Sequence, residues 1–290
     1  MSLNTPLIDA ASLAALAPGD VLIVDCRFDL ADPAKGERDY MDGHIPGAIY
    51  ASLDRDLSDL SRQAEGLGRH PLPLVAALSH ALSRWGWQPG MRVVSYDAAG
   101  GALAAARLWW LLGLVGETRA AVLDGGFAAW QAAKRPIETG KGAKQAAHPV
   151  SLRYDARQLL LEHQALLQSG SDVLLDARAA PRYRGDVEPL DRVAGHIPGA
   201  LNRPFTDNLG SDGCFKPAAL LRDEFVTVIG SIDPARVVHM CGSGVTACHN
   251  MLAMEVAGLK GSRLYAPSWS GWISDPARPV ALGQVDAAAR

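Results

Sequence analysis

The chain has 290 residues, of which 48% are hydrophobic and 20% charged, with a formal net charge of −3. That length exceeds one average domain and suits two, each able to bury its own core. The charge gives no electrostatic case for nucleic acid or an anionic membrane as partner. No apolar run approaches the length of a membrane span, and Met1 to Leu7 lack the basic and apolar regions of a signal peptide.

In chain order, the first clear element is the apolar run Val21 to Cys26, a buried strand closing on Asp25-Cys26-Arg27. The box Gly43-His44-Ile45-Pro46-Gly47-Ala48 follows, then a polar loop holding Asp54, Asp56 and His70-Pro71-Leu72-Pro73. A second buried strand spans Arg92 to Asp97, and a helical period covers Leu103 to Leu112. Lys134 to Pro149 is rich in Lys, Gly, Ala and Pro without periodicity and reads as a linker, which places a domain boundary near residue 145. The series then repeats. Leu175-Asp176-Ala177-Arg178 echoes Val24 to Arg27, and the six-residue box returns letter for letter as Gly195 to Ala200. Arg236 to Cys241 echoes Arg92 to Asp97. The expected organisation is therefore two copies of one α/β unit, residues 1–145 and 146–290, each a mainly parallel sheet covered by helices on both faces.

The copies differ where it matters for chemistry. Cys241 ends the strand of the second copy and opens Gly242-Ser243-Gly244-Val245-Thr246-Ala247 ahead of a helix, so loop and helix N–H groups can converge on one sulfur and favour its thiolate. Glycine in that loop permits the positive φ angles such convergence needs. The matching position in the first copy is Asp97, which cannot carry sulfur, so the first copy is expected to be inactive. The other thiols read differently: Cys26 and Cys248 as packing residues, and Cys214 as an exposed loop thiol. No CxxC spacing suggests zinc or a disulfide framework, and a reducing cytoplasm fits best. A cysteine-dependent phosphatase would need Arg six positions after the nucleophile, where this chain has Ala247.

The two boxes, Leu123-Asp124-Gly125-Gly126-Phe127 with Trp130, the Trp109-Trp110 pair and the Cys241 to Cys248 run together resemble the rhodanese (sulfurtransferase) family in its tandem form, across essentially the whole chain. The resemblance implies an inactive first domain and a Cys241 that carries a sulfane sulfur as a persulfide, with no metal or organic cofactor. The neutral Gly242-Ser243 pair is similar to members that use 3-mercaptopyruvate, where thiosulfate-preferring members have cations; thiosulfate:cyanide sulfur transfer is the alternative. By the same resemblance Arg182 and Arg192 would bind the substrate carboxylate, with Gly242, Gly244, Val245 and Thr246 lining the sulfur site. Ser243, His70 and Asp54 would move the thiol proton, Asp56 being the rival of Asp54. His44 and His196 read as turn residues, since both copies have one. The implied partners are a small sulfur donor and a thiol or cyanide acceptor, a thioredoxin-like reductant among them, with neither nucleic acid nor membrane.

Overall fold

The computed structural model describes residues 5–142, 146–155, 157, 159–160, 162–168 and 172–284. The expected boundary near residue 145 lies outside them. Two compact units form: one from the chain up to Asp59 with Leu72–Asp155 and Leu209–Phe215, the other from Leu60–Pro71, the chain after Asp155 as far as Asn208, and the chain from Lys216 onward. Each half of the sequence thus lends a short segment to the other unit. No helix among the described residues is long and apolar enough to cross a membrane.

The first unit holds five strands, β1 (Leu7–Ile8), β2 (Val21–Asp25), β3 (Ile49–Tyr50), β4 (Arg92–Tyr96) and β5 (Ala120–Leu123), in the order β1-β5-β4-β2-β3 with every pairing parallel. The second repeats that order with β6 (Leu159–Leu160), β7 (Val173–Asp176), β8 (Leu201–Asn202), β9 (Val237–Met240) and β10 (Arg263–Tyr265), as β6-β10-β9-β7-β8. Strands β4 and β9 are central and buried along their whole length, so neither shows the alternation of a half-exposed strand. The helices after them, Ala105–Leu114 and Ala247–Val256, bury eight residues each, so their sequences show little amphipathic alternation.

The repeated box is a latch. In each unit the Arg two residues past the end of β2 or β7 forks onto the strand's last Asp, at 2.6 Å for Arg27–Asp25 and 2.7 Å for Arg178–Asp176. The same guanidinium donates to the first carbonyl of the box, Gly43 O at 2.6 Å and Gly195 O at 2.7 Å. It also lies over an aromatic ring, Phe127 or Trp269. The box histidines stack on Tyr40 and Tyr183 with ring centroids 3.9 Å apart, and their Nδ1 atoms meet those tyrosines' carbonyls. The supposed linker is structured where it meets the box: Glu138 pairs with His44 through two backbone hydrogen bonds, as Ala281 does with His196. Cys214 is half-buried rather than exposed, and burial pushes its thiol up from the ordinary value, with the Asp124 and Asp212 charges adding to the effect.

Asp97 shows what the loop after a central strand does. Its carboxylate accepts the backbone N–H groups of Ala99, Gly101, Leu103 and Ala105 at 2.9, 2.9, 2.9 and 3.2 Å. Complete burial pushes this carboxyl up, and the four amides pull against that. In the first unit an internal anion occupies the cradle.

Asp97→Ala should lower stability by at least about 3 kcal/mol in urea unfolding, because four donors lose their acceptor together; a loss below about 1 kcal/mol would contradict this account. His239, fully buried on β9, is pushed down to about 3 by burial and by the Arg203 charge. Its neutral form is favoured in the fold, so its contribution is complete above pH 6.5 and is lost as the pH falls toward 3, where the unfolded chain takes up a proton that the folded chain refuses. His239→Leu should flatten the fall of the urea midpoint across that window; an unchanged slope would assign the acid sensitivity elsewhere.

Candidate functional site

Cys241 follows the last residue of β9 and is buried, with Ser243 and Val245 of its loop also buried. Its backbone is fixed by the first turn of the helix Ser268–Trp272, which follows β10. The Cys241 N–H donates to Ser268 Oγ at 3.1 Å, the Trp269 N–H donates to Cys241 O at 3.0 Å, and the Ser270 N–H donates to Gly242 O at 2.9 Å. Ser268 takes φ +54, a left-handed angle that a non-glycine residue holds only against strain. The equivalent residue in the first unit is Gly126, at φ +59, and there the Phe127 N–H donates to Asp97 O at 3.0 Å. Serine replaces glycine at that position, and its hydroxyl holds the Cys241 amide.

The two loop glycines serve different needs. Gly244 has φ +75, and a Cβ there would lie 2.5 Å from Ala266 O, so both handedness and space demand glycine. Gly242 is not in the left-handed region. A Cβ on it would lie 3.2 Å from Arg69 Nη2, with Arg182 Nη1 and Nη2 at 3.7 and 3.8 Å. A side chain at the first position after Cys241 would press on the Arg69 guanidinium and touch that of Arg182. Cys248 lies beneath the loop, its Sγ 3.4 Å from Gly244 O, as a packing residue.

Those guanidiniums are held by buried carboxylates. Arg182, on the helix Ala180–Arg184, donates to Glu188 at 2.6 Å and to Asp191 at 3.0 Å, and Arg69 donates to the other oxygen of Asp191 at 2.8 Å. Glu188 also faces Arg178 at 3.4 Å. Burial opposes ionisation of Glu188, but hydrogen bonds from Arg182 and from the Leu190 and Asp191 amides hold its carboxyl below the ordinary value.

His70 Nδ1 lies 2.8 Å from Ser243 Oγ, both residues buried, so the structure brings Cys241, Ser243, His70 and Arg182 into one site within the second unit. His70 comes from the segment Leu60–Pro71 that the first half of the sequence lends to this unit. Arg192 is placed differently from Arg182: its Nη2 donates to the carbonyls of Ile273 and Ser274. Asp54 belongs to the first unit, where burial pushes its carboxyl up. Its rival Asp56 is bound to the Ser52 N–H at 2.8 Å and to Arg84 at 2.5 Å. Sequence reasoning missed Arg69, Ser268 and Ser270. Aligning Leu123-Asp-Gly-Gly-Phe127 with Tyr265-Ala-Pro-Ser-Trp269 would have pointed to Ser268, but nothing in the sequence singles out Arg69.

A twice-built parallel α/β unit, with a cysteine at the end of the second central strand where the first has an aspartate, defines a tandem-repeat α/β protein. The model of the rhodanese-like domain matches residues 9–133 and 160–275, and the chain belongs to that family. It is 49% identical over 287 residues to a probable 3-mercaptopyruvate sulfurtransferase of Pseudomonas aeruginosa, covering 97% of this chain and 99% of that one. It is 42% identical over 282 residues, 96% of this chain and 97% of the other, to a Mycobacterium tuberculosis protein provisionally named a thiosulfate sulfurtransferase. The solved 3-mercaptopyruvate sulfurtransferase from Leishmania major superposes with a TM-score of 0.80 at 32% identity, over 92% of this chain and 74% of its own.

Gly244→Ala should cost about 1–3 kcal/mol of stability, through strain and the clash with a main-chain carbonyl. Gly242→Ala meets only the far end of a side chain. It should cost under about 1 kcal/mol while slowing turnover at least about tenfold. Thermal unfolding beside steady-state rates separates the two, and equal stability losses would refute the distinction.

Proposed function

We propose that the chain is a sulfurtransferase that takes sulfur from 3-mercaptopyruvate through a persulfide on Cys241. The observation that carries this reading is the pairing of a neutral Gly242-Ser243 start to the cysteine loop with guanidiniums crowding Gly242 from the side. A compact dianion such as thiosulfate is best met by cations in the loop itself, whereas a 2-oxo thiol acid needs its single carboxylate gripped at a distance from its sulfur.

In the proposed reaction the substrate carboxylate lies against Arg182, and the Cys241 thiolate attacks the substrate sulfur. A sulfur–sulfur bond forms as the carbon–sulfur bond breaks, and its electron pair leaves as pyruvate enolate. The substrate's thiol proton passes to Ser243, whose own proton is accepted by His70 across the 2.8 Å contact, and this pair returns a proton to the enolate carbon to give pyruvate. The N–H groups of the loop through Gly244, Val245 and Thr246 stabilise the anionic sulfur, as the matching loop stabilises Asp97 in the first unit. A thiolate or cyanide then attacks the outer sulfur and releases Cys241; a thioredoxin-like dithiol is a fitting acceptor. The four cysteines form no disulfide, which supports a reducing compartment such as the cytoplasm. The first domain, proposed as the copy before residue 145, is structural.

Cys241→Ser should abolish turnover, and intact mass of the wild type after exposure to donor should rise by one sulfur atom. His70→Ala and Ser243→Ala should each lower kcat on 3-mercaptopyruvate by about 10²-fold or more. Parallel rates on thiosulfate test the donor: a kcat/KM higher on thiosulfate than on 3-mercaptopyruvate would sink the assignment.

A further inference from the structure

We infer that Arg69, and not Arg192, supplies the second guanidinium that grips the donor's carboxylate. The inference rests on the reading of 3-mercaptopyruvate as donor. Arg69 Nη2 and both terminal nitrogens of Arg182 converge on the space beside Gly242, at 3.2, 3.7 and 3.8 Å from where a Cβ would stand. Like charges so close need a bridge, and Asp191 provides one: its Oδ1 accepts from Arg69 and its Oδ2 from Arg182, which sets the two forks side by side.

The donors left over point to a ligand. Glu188 and Asp191 take Arg182 through Nε and Nη2, and Asp191 takes Arg69 through Nη1. Among the described residues, Arg182 Nη1 and Arg69 Nη2 meet no acceptor, and Arg69 Nε is buried without one. Arg69 Nη2 and Arg182 Nη1 are the nitrogens that face the space beside Gly242, and a carboxylate oxygen there would give both a charge-assisted acceptor. Arg192 is not among the three nearest atoms beside Gly242, and its Nη2 donates instead to the main-chain carbonyls of Ile273 and Ser274.

The backbone of Arg69 is pinned to the nucleophile loop. Its N–H donates to Ser270 Oγ at 2.9 Å, and Ser270 N–H donates to Gly242 O at 2.9 Å. Gln63 Nε2 holds its carbonyl at 2.7 Å. Gly68 just before it, at φ +88, comes so near Pro267 O that a Cβ would lie 2.4 Å away. Two hydrogen bonds thus separate Arg69 from the residue after Cys241, so its guanidinium is positioned before substrate arrives.

Arg69→Ala should lower kcat/KM for 3-mercaptopyruvate by about 10- to 100-fold, mainly through KM, with Arg69→Lys intermediate because it keeps the charge and loses the fork. Alkylation of Cys241 supplies a readout independent of sulfur transfer and of overall thiol reactivity: the rate ratio of iodoacetate, which carries a carboxylate, to neutral iodoacetamide. That ratio should fall about tenfold in Arg69→Ala. Unchanged kinetics and ratio in a variant still alkylated by iodoacetamide would overturn the inference, as would both reagents slowing equally. A selective loss in Arg192→Ala but not in Arg69→Ala would overturn it too. A wild-type chain that ignores 3-mercaptopyruvate removes the donor reading, and the alkylation ratio then still decides whether Arg69 recognises a carboxylate.

Discussion

A buried ladder of alternating charge, Asp176, Arg178, Glu188, Arg182, Asp191 and Arg69, organises the second unit. Three carboxylates and three guanidiniums balance in formal charge, so no rung is buried uncompensated. One end ties strand β7 to the repeated box through Gly195 O; the other delivers two guanidiniums to Gly242. Removing an inner rung would leave a desolvated charge and also slacken the site, so the same interactions serve the fold and the chemistry. The first unit has the strand-end rung alone in its Asp25–Arg27 pair with Gly43 O.

The two copies solve one backbone problem in two ways. After the first copy's central strand the loop gathers four N–H groups around a point. In the first copy Asp97 fills that point with a permanent carboxylate; in the second, Cys241 stands at the strand end. The neighbouring turn changes in step, from Gly126 to Ser268 at nearly the same φ, which accepts strain in exchange for a hydroxyl on the cysteine's amide. The strand order is kept while the side chains at these positions differ.

Much of this was legible in the residues. Apolar strands ending in Asp and Arg, the duplicated box and the Cys241 loop led to a tandem parallel α/β fold with one reactive copy, because burial periodicity and turn chemistry are local. Ser243, His70 and Arg182 entered through family likeness, and the structure brings them together with Cys241. Arg192 entered the same way, and its Nη2 contacts the Ile273 and Ser274 carbonyls. The reason given for Gly242 was incomplete as well: its need is space, not a left-handed angle.

By itself, then, the sequence determined the repeat and the topology class, and it singled out Cys241 and its counterpart Asp97, all from patterns within a few residues of one another. Tertiary structure decided that residues 60–71 join the second unit, that His70 meets Ser243 across 173 positions, and that Arg69 shares Asp191 with Arg182 across 122. Such pairings depend on how buried charges neutralise one another once strands and helices have packed. No local pattern records that balance.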